Sequence, residues 1–184
     1  MTDRLVLRAW RDDDATALTE IYEQPEYLET MPPADAVEQI AGWRRRWVDD
    51  GFGHWAACDR ESGRLIGRIG LLRHHDWPLV AEPVEVGWVL HRDFWGRGLA
   101  TEGGRAAVDV WRRCLPEDDT LYSFTIPRNA RSRAVMERLG MTYGGETVWR
   151  GLAHVWYALD RAGARSGTVE HAAAWLGCET AARA

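Results

Sequence analysis

The stretch from Val84 to Trp111 constrains this 184-residue chain more than any other. It opens on Val84-Glu85-Val86-Gly87-Trp88-Val89-Leu90, a short apolar run of strand length. It closes on Ala106-Ala107-Val108-Asp109-Val110-Trp111, which reads as helix. Between them lies His91-Arg92-Asp93-Phe94-Trp95-Gly96-Arg97-Gly98-Leu99-Ala100-Thr101-Glu102-Gly103. A strand feeding a helix through Gly-x-Gly presents backbone N–H groups that lack intrahelical acceptors, at the positive end of the helix dipole. That end suits a phosphate or pyrophosphate, and glycine lets the backbone approach without a Cβ in the way. The dipole alone contributes only about 0.3–1 kcal/mol. The segment predicts a grip on a phosphorylated cofactor.

Glycine turns between strand and helix are common, so the spacing has to sort among phosphate loops. A dinucleotide fingerprint needs glycine three residues after Gly98, where this chain has Thr101. A P-loop needs Gly-x-x-x-x-Gly-Lys followed by Ser or Thr, and the chain contains no such string. The third reading is an acyl-CoA loop, carried by three ordered blocks. They are Glu85-Val86-Gly87-Trp88-Val89-Leu90, then Phe94 to Glu102, then Asn129-Ala130-Arg131-Ser132-Arg133-Ala134-Val135-Met136-Glu137-Arg138-Leu139-Gly140-Met141. With these blocks the chain resembles the GNAT N-acetyltransferases, in particular the branch that includes ribosomal-protein alanine acetyltransferases. The resemblance covers residues 3–160 or so. It implies the α/β GNAT acyl-CoA N-acyltransferase fold, a mixed, mostly antiparallel central sheet flanked by helices. It also implies acetyl-CoA as acyl donor without a metal, and a primary amine as acceptor. That amine is a protein or peptide N-terminus or a small molecule, attacking directly in a ternary complex.

The bulk composition agrees with a single enzyme-sized domain. The length can bury a sizeable core, and 46% hydrophobic with 28% charged residues is ordinary for a globular protein. A net charge of −5 argues against general nucleic-acid binding and is compatible with a cationic amine. Cys58, Cys114 and Cys178 lie far apart without metal-ligand spacing, which reads as reduced thiols in a cytoplasmic protein. No apolar stretch approaches 18 residues, so neither membrane insertion nor secretion is expected.

Local patterns place the remaining elements. Arg4 to Arg8 reads as a strand; Asp12-Asp13-Asp14 starts a helix through Leu18 and Ile21, and 24–34 reads as an irregular connection. A helix over 36–49 is predicted to bury Val37, Ile40, Trp43 and Trp47 on one stripe. Residues 52–58 and 65–72 form a hairpin around Glu61-Ser62-Gly63. A strand at 121–126, a helix at 130–139 closed by Gly140, and strands near 143–149 and 153–159 complete a domain over 1–160. The tail, 161–184, holds one short helical pattern at 169–176 and reads as a dimer arm or a frayed end.

Acyl transfer needs the donor held, the amine deprotonated, the developing oxyanion stabilised and the leaving thiolate protonated. Holding falls to Trp95, Gly96, Arg97, Gly98, Leu99, Ala100 and Thr101, whose amides would line the pyrophosphate. Many loops of the family begin with Arg or Gln where this chain has Trp95, which shifts binding onto backbone amides. Arg97 reads either as a cation near the phosphates or as a solvated loop charge. By the family pattern Val89 and Leu90 offer backbone groups to the pantetheine arm. The strands at 84–91 and 120–126 then splay apart, so that an N–H near Val89 faces the thioester oxygen.

Glu85 is the candidate general base, since on a period-2 strand it shares a face with Gly87 and Val89. A salt bridge to a neighbouring strand, with Arg68 as the partner, is the competing explanation of an acid between two valines. Asn129 reads first as a helix cap, and in the family this position also lines the CoA arm. Ser132 could hydrogen-bond the pantetheine or protonate the thiolate, because Met136 stands where many relatives place a tyrosine acid. Glu102, in the first helical turn, reads as structural, and His74-His75-Asp76 lacks further ligands for a metal. A non-catalytic acyl-CoA-binding or sensor domain is the rival reading, and a different phosphate-loop enzyme a remoter one.

Overall fold

The computed structural model describes residues 1–161; the tail beyond them, with the helix expected at 169–176, lies outside the described residues. The chain order is β1 (Leu5–Arg8), α1 (Asp14–Tyr22), α2 (Pro25–Leu28), α3 (Ala36–Asp49), β2 (His54–Asp59), β3 (Leu65–Arg73), β4 (Val84–Leu90), α4 (Leu99–Cys114), β5 (Thr120–Thr125), α5 (Ala130–Arg138), β6 (Thr142–Trp149) and β7 (Leu152–Asp160). The seven strands form one sheet in the order β1-β2-β3-β4-β5-β7-β6. Every pairing is antiparallel except β4 with β5. This is the mixed, mostly antiparallel sheet expected from the sequence.

Strand alternation divides the buried residues between two layers. On one face Leu5, Leu7, Trp55, Ile69, Leu71 and Val86 pack against Leu99, Ala107, Val108 and Trp111 of α4 and Met136 and Leu139 of α5. Gly103 makes that approach close: a Cβ there would lie 2.3 Å from Ile69 Cδ1. On the other face α1, α2 and α3 cover the sheet through Leu18, Ile21, Tyr22, Tyr27, Ile40 and Trp43, against Ala56, Cys58 and Leu65.

The helix at 36–49 buries Ala36, Ile40 and Trp43, but Val37 is 65% exposed, so the predicted stripe is corrected at its first member. Helical geometry allows 36-40-43-47 or 37-40-44-47 as the covered face, and packing against α1 selects the former. Asp35 caps this helix, accepting the Glu38 N–H at 2.9 Å. The segment 24–34, expected to be irregular, contains the one-turn helix α2 with proline at its start.

Asp14 ties α1 to β1. Its carboxylate accepts from Arg8 Nη1 at 2.7 Å and Nη2 at 2.6 Å, and from the Arg11 N–H at 2.7 Å. Burial raises the carboxyl pKa, but the Arg8 and Arg11 hydrogen bonds outweigh it and hold the group below its ordinary 3.8. Asp14→Asn is expected to destabilise the fold by about 3–5 kcal/mol, because Arg8 is left unpaired while mostly buried. The folded pKa lies below the unfolded one, so this stabilisation is complete above the unfolded value and disappears as pH falls through the folded value. Urea unfolding between pH 7 and pH 2 checks both points; an acid limb equally steep in the variant would contradict the assignment.

Candidate active site

The sheet opens at its centre. β4 and β5 pair only at Val84 with Leu121 and Glu85 with Tyr122. From Val86 onward β4 has a neighbouring strand on its β3 side alone, and from Ser123 onward β5 has one on its β7 side alone. The strand separation implied by the resemblance is therefore present, with Val89 and Leu90 on its β4 edge. An unpaired strand edge offers N–H and C=O groups to an amide-bearing ligand.

The loop after β4 leads directly to this opening. A 3₁₀ turn over Arg92–Phe94 is capped by His91, whose Nδ1 accepts the Asp93 N–H at 3.2 Å. Trp95 then turns back, and its indole Nε1 donates to the Leu90 carbonyl at 2.8 Å. Gly96 and Gly98 have φ of +71° and +77°, where other L-residues are strained by about 1–2 kcal/mol each. A Cβ at Gly96 would meet nothing within 4 Å, so backbone conformation, and not crowding by the protein, demands glycine there. Gly98 is the N-cap of α4 and accepts the first helical bond from Glu102 at 3.0 Å. The N–H groups of Leu99, Ala100 and Thr101 precede that bond and have no acceptor within the helix.

The third sequence block meets this loop in space. Arg131 of α5 lies 4.3 Å from the Trp95 ring, a cation–π contact joining the two motifs. Asn129 caps α5 with both ends of its side chain: Oδ1 accepts the Ser132 N–H at 3.2 Å, and Nδ2 donates to Thr125 Oγ1 at 2.9 Å. Ser132 is therefore fixed in the first turn, half-buried, beyond the end of β5. An open cavity of about 410 Å³ is lined by Glu29, Thr30, Arg128, Asn129, Ala130 and Arg131. Another of about 560 Å³, lined by Arg4, Gly98, Thr101, Arg105 and Arg138 among others, lies at the start of α4. Arg97 is exposed and stacks over Phe94 at 5.1 Å. Met136 is fully buried in the core.

Glu85 stands where the two strands part. Its partner is His74 rather than Arg68: Glu85 Oε2 lies 2.7 Å from His74 Nε2, and both side chains are 13% exposed. His74 is in turn wedged edge-on against Phe124 and Trp149, at 5.1 and 5.2 Å between ring centres. The following loop is pinned to the β6–β7 hairpin. Trp77 stacks on Phe124 at 4.1 Å, and Asp76 binds Arg150 at 2.8 Å. Two further residues on the Glu85 face were not singled out as site residues in the sequence, His54 and Arg68. They lie diagonally on the β2–β3 hairpin, whose register pairs His54 with Gly70 and Arg68 with Ala56. That register was the signal for their proximity, but a bulge at Ala57/Cys58 offsets it from simple counting. His54 is completely buried, and burial, with Arg68 and His74 nearby, pushes its imidazole well below the usual range, so it is neutral.

The remaining polar motif residues have structural partners. Glu102 binds Thr2 Oγ1 at 2.6 Å, the Arg4 N–H at 2.8 Å and the Arg4 guanidinium at 2.6 Å, fastening the N-terminus to α4. His74, His75 and Asp76 diverge to Glu85, Glu82 and Arg150. Among the described residues no helix is long and apolar enough to cross a membrane.

An acetyltransferase (GNAT) domain profile matches residues 4–142, three-quarters of the chain. The chain belongs to the GNAT acetyltransferase family. The acetyltransferase is similar to Bacillus subtilis YkkB, with 27% identity over 149 residues, 78% of this chain and 84% of that one. It is also similar to an acetyltransferase from Agrobacterium tumefaciens, at TM-score 0.74 and 27% identity, over 86% of this chain and 92% of that one. An aminoglycoside acetyltransferase solved with coenzyme A and kanamycin shares the fold, at TM-score 0.72 and 19% identity over 86% and 96% of the two chains. So does a ribosomal-protein-S5-alanine acetyltransferase from Vibrio fischeri, at TM-score 0.69 and 14% identity over 88% and 95%.

Proposed function

We propose that the protein transfers the acetyl group of acetyl-CoA to the nitrogen of a primary amine, in a ternary complex and without a metal. The observation that carries this reading is the meeting of three features at one place. They are the β4 edge freed beyond Glu85, the two left-handed glycines before α4, and the start of α5 held against Trp95. A diphosphate fits the glycine turn because the N–H groups of Leu99, Ala100 and Thr101 lack helical acceptors and no Cβ covers Gly96 or Gly98. An amide-bearing arm fits the gap because the β4 edge there has no strand beside it.

Acetyl-CoA, when bound, supplies an activated thioester. Trp95 to Thr101 hold its phosphates, and the gap-facing backbone groups of β4 around Val89 and Leu90 orient the arm. The N–H and C=O of Val89 itself face Arg68 of β3, as the His91 N–H to Ile66 and His74 N–H to Pro83 bonds set the alternation of that ladder. An N–H near Val89 donates to the oxygen on which charge develops, a contribution worth about 10²–10³ in rate for such donors. Glu85 takes the proton from the amine, its carboxylate held by His74. Ser132 offers its hydroxyl to the leaving sulfur.

Calorimetric titration with acetyl-CoA, and with desulfo-CoA, ATP and NAD as controls, tests the cofactor. Micromolar binding confined to the CoA forms is expected, followed by thiol release with members of an amine panel. Absence of CoA binding would overturn the reading; binding without turnover of any amine would leave a sensor domain.

A further inference from the structure

Arg68 is a buried cation that no described carboxylate neutralises. It lies in the middle of β3, directly opposite Val89 of β4, so its side chain shares the face that carries Glu85, Gly87 and Val89. The residue is 9% exposed. Its guanidinium has only neutral company. Nη1 lies 3.0 and 3.3 Å from the ring nitrogens of His54, the Trp43 ring is 5.5 Å away, and the buried Tyr22 side chain is close enough to feel its charge. Its Nε is buried with no partner among the described residues. The acids of the surrounding elements are engaged elsewhere: Glu26 with Arg92, Asp14 with Arg8, and Glu85 with His74. Glu20, Glu23 and Glu29 are exposed.

Burying a guanidinium without an anion is unfavourable, and its planar N–H edge matches the two oxygens of a carboxylate. The cation is next to the reaction centre. Neighbouring strands are about 4.8 Å apart, so the backbones of Arg68 and Val89 are that close. Val89 is half-buried, which brings this part of the sheet within reach of solvent.

We propose that the acceptor is a small amine bearing a carboxylate beside its amino group, an amino acid or close analogue, and that Arg68 receives that carboxylate. The inference rests on the acetyltransferase reading and narrows its acceptor. With the carboxylate at Arg68, the amine of the same molecule is held toward Val89 and Glu85. A protein N-terminus has a peptide amide in place of this carboxylate and would leave Arg68 unpaired.

The test uses the full chain and paired acceptors, free amino acids and their carboxamides, with thiol release from acetyl-CoA as readout. For the preferred side chain the acid should exceed the amide in kcat/KM by at least about 30-fold, the usual effect of removing one partner from a buried charge pair. This preference runs against intrinsic availability, since the amide's amine is the less basic and the more deprotonated at neutral pH. In Arg68→Met the preference should fall below threefold with CoA affinity unchanged, and Arg68→Lys should retain part of it. Amides used as well as acids, a preference that survives Arg68→Met, or no acid acetylated by a protein that binds CoA would each overturn the proposal. The wild-type comparison decides even if the variants fail to fold. A wild-type protein that does not bind CoA would instead overturn the acetyltransferase reading beneath it.

Discussion

Gly98→Asp is expected to weaken CoA binding by about tenfold to several hundredfold. Gly98 begins α4 with φ of +77°, so any side chain there carries left-handed strain of about 1–2 kcal/mol. The carboxylate adds like-charge repulsion where the diphosphate is proposed to lie, about 1–4 kcal/mol at 4 Å as the surroundings change from water to protein surface. One effect opposes these. An ideal Cβ at Gly98 is 3.6 Å from Arg4 Nη2, so the new acid could pair with Arg4. Such an exposed pair is worth about 0–1 kcal/mol, too little to reverse the outcome. Gly98→Ala separates the contributions, since it introduces the strain without the charge. Calorimetry with CoA and a thermal melt read both; a folded Gly98→Asp protein with wild-type affinity would remove the phosphates from this turn.

Glu85→Gln is expected to lower kcat by about 10²–10⁴, the usual range for a general base, with little change in CoA affinity. Glutamine retains the volume and an oxygen for His74, so the substitution isolates the charge. The size of the loss depends on the acceptor. An amine of pKa near 10.4 is only about one part in 2,500 deprotonated at pH 7, a handicap of about 4.6 kcal/mol that a base must offset, whereas one near 7.7–8.0 needs far less help. His74→Phe should cost less than Glu85→Gln, because it removes the support and leaves the carboxylate. A decrease of under threefold in Glu85→Gln would remove it from the catalytic assignment.

The sequence located the elements well where periodicity or a cap marked them. β4 matches its expected bounds within about a residue, and the helical pattern at 106–111 falls inside α4, because an apolar run, two glycines and a helical pattern follow one another without ambiguity. α2 was hidden because four residues are too few to express a helical period, although Pro25 is a start signal. Val37 misled because hydrophobicity identifies a face only when several turns agree, and Ala36 counted too little beside it. The site divides the same way. The Gly-x-Gly turn and the Asn129 cap are local chemistry and could be read residue by residue. The partner of Glu85 could not, since His74, the first residue past β3, is diagonally opposite Glu85 only in the β3–β4 register, which a ten-residue connection leaves open in the sequence. Arg68 was visible, yet its lack of a carboxylate becomes evident only when every surrounding element is in place.

The short pairing of β4 with β5 has a mechanical consequence. Two rungs, at Val84 and Glu85, are all that directly stitch the first four strands to the last three. Further attachment comes from helix packing, from the Arg73–Asp118 ion pair and from the loop bolted down by Asp76 and Arg150. A ligand lying in the gap would serve as a surrogate strand, completing the interrupted ladder from both sides. If the donor lies there, its binding would also be the last step of sheet assembly, with the two halves knit most firmly when the reagent is in place.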